Sequence, residues 1–159
     1  LEHRYKFLVL DGPSRTGKSM YAMSLQGRHR TLDVSCAGVQ HPDLRDHDAL
    51  QHTAIVFDEA SVSMVLNHKR LFQACASQID LGSSATNCHA YKIYVHRCRL
   101  IVCSNRWASE VKELPWEDKA WIDANSVYVH VDRPLWVEEE PTLPVEFEDE
   151  YLGPDIDEM

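Results

Sequence analysis

Gly12, Pro13, Ser14, Arg15, Thr16, Gly17, Lys18 and Ser19 fit G-x-x-x-x-G-K-[ST] at every fixed position. These residue types suit a polyphosphate. Gly12 and Gly17 allow backbone angles that other residues resist, so successive N–H groups can turn inward on an anion. Lys18 brings a point charge for β- and γ-phosphates, and Ser19 a hydroxyl for a divalent cation. The expected ligands are ATP and Mg²⁺.

Two further groups follow at intervals. Asp58-Glu59 closes the apolar run from His52, and Asn105 closes the run from Arg99. In open α/β sheets, ligands sit at the carboxyl ends of strands. An Asp there can hold the cation's water shell, together with Ser19. The Glu beside it can act as general base on an attacking water. The Asn amide can bind the γ-phosphate or orient that water. Taken singly, an Asp-Glu strand end is commonplace and an Asn strand end is a routine turn. Behind a full phosphate loop they form a set.

Elements must then position them. Residues 5–11 are apolar and β-prone, as a strand buried on both faces would be. Residues 19–26 hold helix formers without Gly or Pro, and their helix would add a positive N-terminal end to the loop. Further strands are expected at 31–36, 52–60, 99–105 and 126–131. Helical segments are expected at 67–76 and, interrupted by Pro115, within 107–123. The aromatics of that last stretch read as core. Residues 37–51 read as a surface connection. The fold class is α/β: a central, mostly parallel sheet flanked by helices, with a phosphate-binding loop.

Net charge is -9, yet residues 138–159 carry ten acidic side chains and no Lys or Arg. Without them, fifteen acidic residues face sixteen basic ones, a body of charge about +1. We therefore expect one core domain over 1–137 and a solvated acidic tail over 138–159. A near-neutral body with basic clusters is compatible with nucleic acid, whereas a uniform -9 would argue against it. One such cluster spans 78–97, read as strand, turn-rich loop and strand. Lys92, His96 and Arg97 lie there beside Tyr91 and Tyr94, charge for phosphates and rings for stacking. An ordinary hairpin with a solvated basic edge is the plainer alternative.

Five Cys, with no C-x-x-C, read as reduced thiols of an intracellular protein of the nucleus or cytoplasm. Cys88, His89, His96 and Cys98 match no standard zinc spacing. No run approaches the ~20 apolar residues of a membrane helix, and no signal-peptide layout is present. The chain starts at Leu1 without Met, as an excised piece of a longer protein would.

In their order, the loop at 12–19, Asp58-Glu59, the basic hairpin and Asn105 resemble the superfamily 3 helicases. Among these the chain is similar to the helicase domain of replication initiators of circular single-stranded DNA viruses, and to virus-derived copies of it. The resemblance covers residues 5–133. It implies an AAA+-like core, with residues 12–19 as Walker A, Asp58 and Glu59 as Walker B, and Asn105 as the sensor Asn. It implies that 78–97 grip single-stranded DNA, or RNA in its place, through Lys92 first and His96 second. It also implies a homo-oligomeric ring, usually a hexamer, completed by an arginine finger from the neighbour. Arg106 and Arg133 are both candidates for that finger. The family's nicking domain and helical oligomerisation segment are not visible in this sequence. Two other classes stay open: a small-molecule kinase on the same loop, and a nucleotide-regulated binding protein or inactive viral remnant.

Overall fold

Five strands lie side by side in the order β2-β3-β6-β1-β7, every neighbouring pair parallel. They are β1 (Phe7–Asp11), β2 (Thr31–Ser35), β3 (Ala54–Asp58), β6 (Arg99–Ser104) and β7 (Ser126–His130). The computed structural model describes residues 5–82 and 90–136. The acidic tail expected over 138–159 lies outside the described residues, as do Cys88 and His89.

Alternation along the central strands builds a core on each side of the sheet. Phe7 and Val9 of β1, Ile55 and Phe57 of β3, and Leu100 and Val102 of β6 point into the larger core. Leu8, Leu10, Val56, Ile101 and Cys103 point into the smaller one. Strands buried on both faces need apolar residues at every position, which is why these runs read as continuous. Helix α1 (Lys18–Ser24) covers the smaller core through Ala22 and Met23. The larger core lies under α2 (Val62–Asn67), α3 (Lys69–Phe72), α4 (Trp107–Lys112) and α5 (Trp116–Asn125). No helix among the described residues is long and apolar enough to cross a membrane.

The register makes the carboxyl edge level. Asp11 of β1 stands beside Ser104 of β6, and Asp58 of β3 beside Cys103. Because β6 lies between β1 and β3, residues just after it fall between the loop of residues 12–19 and the Asp-Glu pair.

Three local expectations are corrected. The helix expected over 67–76 is two short helices broken at His68, and it begins earlier because Ser61 caps α2, its hydroxyl accepting from Met64 N at 3.1 Å. The His68 ring is held at Gln40 O (3.1 Å), which suits a break there. Second, the strand expected through Arg97 stops at Ile93: β4 (Ile79–Leu81) and β5 (Tyr91–Ile93) pair antiparallel, and Arg97 sits in a turn at φ 60°. Third, Trp107 is core but Trp116, in the first turn of α5, is 75% exposed. The 37–51 connection is mostly exposed, anchored by Leu44, which is fully buried and donates its N–H to the Tyr91 hydroxyl at 2.8 Å.

Candidate nucleotide-binding site

The loop leaves β1 at Asp11 and enters α1 at Lys18. Its first glycine is required by a close approach, since a Cβ at Gly12 would collide with the Val131 carbonyl oxygen. Its second is required by backbone angle, Gly17 lying at φ 78°, ψ 20°. Arg15, at φ 62°, shares that left-handed region. Among the described residues no acceptor engages the N–H groups of residues 14–19. They are the donors an anion would meet. The helix behind them has seven residues, so its dipole is a minor contribution beside the loop's own N–H groups.

Lys18 is 7% exposed, and its ammonium bends back over the loop. It donates to Pro13 O (2.6 Å), Gly12 O (3.0 Å) and Thr16 Oγ1 (3.2 Å). A phosphate oxygen in the loop would compete with those oxygens for the same three donors. Ser19 Oγ donates to Asp58 Oδ1 at 2.6 Å, joining the start of α1 to the end of β3.

Asp58 sets the local field. Burial raises the pKa of Asp33, and the Asp58 charge raises it further. The same two causes, in that order, push the Cys36 and Cys103 thiols up to about 12. A divalent cation would offset this concentration of negative charge. Among the described residues no three His, Cys, Asp or Glu side chains gather to hold a metal alone. Ser19 and Asp58 nevertheless fit a Mg²⁺ that draws its other ligands from phosphate oxygens and water, as Mg²⁺ commonly does.

Glu59 is exposed and adopts φ 55°, a strained angle for a residue with a side chain. Its neighbours hold it there. Asp58 O accepts from Cys36 N (2.8 Å), and Ala60 N donates to Cys103 O (3.2 Å). Strain over-determined in this way collects at functional positions. Asn105 is exposed just beyond β6.

Loop residues 14–19, Asp58, Glu59 and Asn105 line one cavity of about 230 Å³. A second, of about 380 Å³, shares Glu59 and Asn105 with it and adds Arg106. The expected loop, cation, base and amide residues thus meet around one space. The arrangement gathers backbone N–H donors, a cationic side chain, a hydroxyl–carboxylate pair, a second carboxylate and an amide, groups of the kind that phosphoryl transfer to water uses.

Sequence reasoning missed Asp11. Its carboxylate is buried and accepts from Trp107 N (3.0 Å) and Ala108 N (3.1 Å), and from the Tyr128 hydroxyl (2.7 Å). It caps α4 and fixes the turn that carries Asn105. The available signal was a carboxylate ending an apolar run, which, once buried, must find donors.

The expected nucleic-acid residues lie apart from the cavity. Lys92 is exposed on β5 opposite Asp80, while Ile79, Leu81 and Ile93 anchor the hairpin in the core. Arg97 is exposed, and His96 is half-buried with a buried, unpartnered Nδ1. Tyr91 is not open for stacking: its hydroxyl holds the 37–51 connection and Arg45 lies over its ring. Tyr94 is 41% exposed. Arg106 borders its own chain's Glu59, and Arg133 pairs with Asp132 at 3.4 Å. No protein-family model matches the chain, and no curated protein does.

Proposed function

We propose that this chain is an ATP-hydrolysing motor domain of the superfamily 3 helicase type, acting on single-stranded DNA as part of a homo-oligomeric ring. The observation that carries the reading is the meeting of loop residues 14–19, the Ser19–Asp58 hydrogen bond, Glu59 and Asn105 around one cavity. Lys18 and the loop N–H groups hold the triphosphate. Ser19 and Asp58 would hold Mg²⁺, which when bound would offset the negative charge of the phosphates. Glu59 takes the proton of the attacking water, and Asn105 orients that water against the γ-phosphate. Lys92, with His96 and Arg97, faces the nucleic acid. Arg106 or Arg133 reaches a neighbouring subunit's site. The free thiols among the described residues, Cys36, Cys75, Cys98 and Cys103, favour a reducing compartment, nucleus or cytoplasm.

The test is ATP hydrolysis by the purified chain with and without single-stranded DNA, alongside its mass in solution. Stimulated hydrolysis in a ring-sized assembly is the expected result. Stimulation by RNA but not DNA would replace the polymer. Nucleotide binding without hydrolysis would turn the reading to a nucleotide-regulated binding protein.

A further inference from the structure

The segment after β7 does not leave the molecule; it runs alongside the phosphate loop. Val131 N donates to Asp11 O (2.7 Å) and Leu135 N to Thr16 O (2.9 Å). At the end of this track the Trp136 indole lies against Gly17, so close that a Cβ there would stand 2.8 Å from its Cε3. Trp136 is nevertheless 47% exposed. A large aromatic ring thus has one part packed on the loop's second glycine and another open to solvent. Met20, which lines the 230 Å³ cavity on the helix side of the loop, is itself 67% exposed.

We propose that Trp136 is the stacking platform for the nucleobase of the bound nucleotide, with Met20 as an apolar neighbour. The inference rests on the phosphate-loop function proposed above. A loop of this kind cradles α- and β-phosphates with its backbone and extends its Lys toward the γ-phosphate. The nucleoside therefore leaves from the α-phosphate, and an apolar plane next to Gly17 offers its base a face to lie on. Two backbone hydrogen bonds hold the track that ends in this indole, so the ring pays little ordering entropy when a base arrives. Stacking reads a π-face rather than hydrogen-bonding edges, so the site takes purine nucleotides broadly and selects weakly among bases.

The test compares Mg²⁺-ATP with Mg²⁺-tripolyphosphate, which offers the loop the same charge without a base. Binding of each is measured by calorimetry to the wild-type chain and to Trp136→Phe, Trp136→Leu and Trp136→Ala. The expected result is a loss of about tenfold in ATP affinity for the Leu and Ala variants, a typical stacking effect, with Phe close to wild type. Tripolyphosphate affinity should stay within about twofold throughout. In the wild-type chain, ATP but not tripolyphosphate should alter indole fluorescence. Equal losses for both ligands would make Trp136 a prop for the loop and overturn the proposal. Unchanged ATP affinity in Trp136→Leu would overturn it as well. If tripolyphosphate binds normally and only the base effect is missing, the phosphate-loop reading survives. If neither ligand binds the wild-type chain, both fall.

Discussion

The Asp11 carboxylate accepts a hydrogen bond from Trp107 N at 3.0 Å across ninety-six positions of sequence. It ties the strand that leads into residues 12–19 to the turn that presents Asn105. Replacing Asp11 by Ala would leave the N–H groups of Trp107 and Ala108 and the Tyr128 hydroxyl without their acceptor. A buried donor left in that state costs about 1–3 kcal/mol. We expect Asp11→Ala to lower stability by that order in denaturant titration. ATP turnover should fall with less change in nucleotide affinity, because the loop stays while Asn105 drifts. A stable variant with full turnover would remove Asp11 from the positioning of the site.

Tyr128 carries a pH signature. Burial, then its hydrogen bond to the Asp11 carboxylate and that group's charge, pushes the phenol up to about 12. Its folded pKa stands above the ordinary value, so its contribution to stability is complete below pH ~10. That contribution is lost as pH rises from there through about 12. Tyr128→Phe should flatten the fall in stability over this window and lose the hydrogen bond at all lower pH. An unaltered alkaline profile would contradict the pairing.

Gly12 is a packing requirement whatever the loop binds. The Val131 carbonyl oxygen occupies the space a Cβ would need, and backbone cannot swing aside as a side chain does. Gly12→Ala should destabilise the fold by ~1–3 kcal/mol through overpacking, read from the shift in denaturation midpoint. A midpoint equal to wild type would show that the 131–136 track yields at little cost.

Lys92 stands on β5 and does not line the 230 Å³ cavity. Under the proposed function, Lys92→Ala should weaken single-stranded DNA binding and reduce its salt slope by ~0.7, the value for one lost phosphate contact. Basal hydrolysis without DNA should be unchanged. Fluorescence anisotropy across a salt series measures both affinity and slope, and wild-type values would move the DNA site elsewhere.

What was legible in the sequence is what short-range pattern encodes. Continuous apolar runs marked β1, β3 and β6, and their polar ends marked the carboxyl edge. The spacing of Gly12, Gly17, Lys18 and Ser19 marked where the chain turns from β1 into α1. What was not legible depends on partners far along the chain. The buried acceptor role of Asp11 requires Trp107, Ala108 and Tyr128 to arrive beside it. Trp136 shows no periodicity that would place it on Gly17. The helix break at His68 comes with a ring held at Gln40 O, and the early end of β5 leaves Arg97 in a turn that residue type alone does not demand. Tyr91 read as a free ring, yet its hydroxyl serves the Leu44 backbone.

Under the proposed function, residues 12–19 and the Asp58-Glu59 edge form one hydrolytic site. The most direct test measures Mg²⁺-ATP binding and hydrolysis in parallel for the wild-type chain, Lys18→Ala and Glu59→Gln. Lys18→Ala should abolish hydrolysis. Glu59→Gln should bind ATP as wild type does while hydrolysis falls ~10²-fold or more, the loss expected of a missing general base. Hydrolysis undiminished in Lys18→Ala would take the chemistry away from residues 12–19, and binding lost together with turnover in Glu59→Gln would make Glu59 structural rather than a general base.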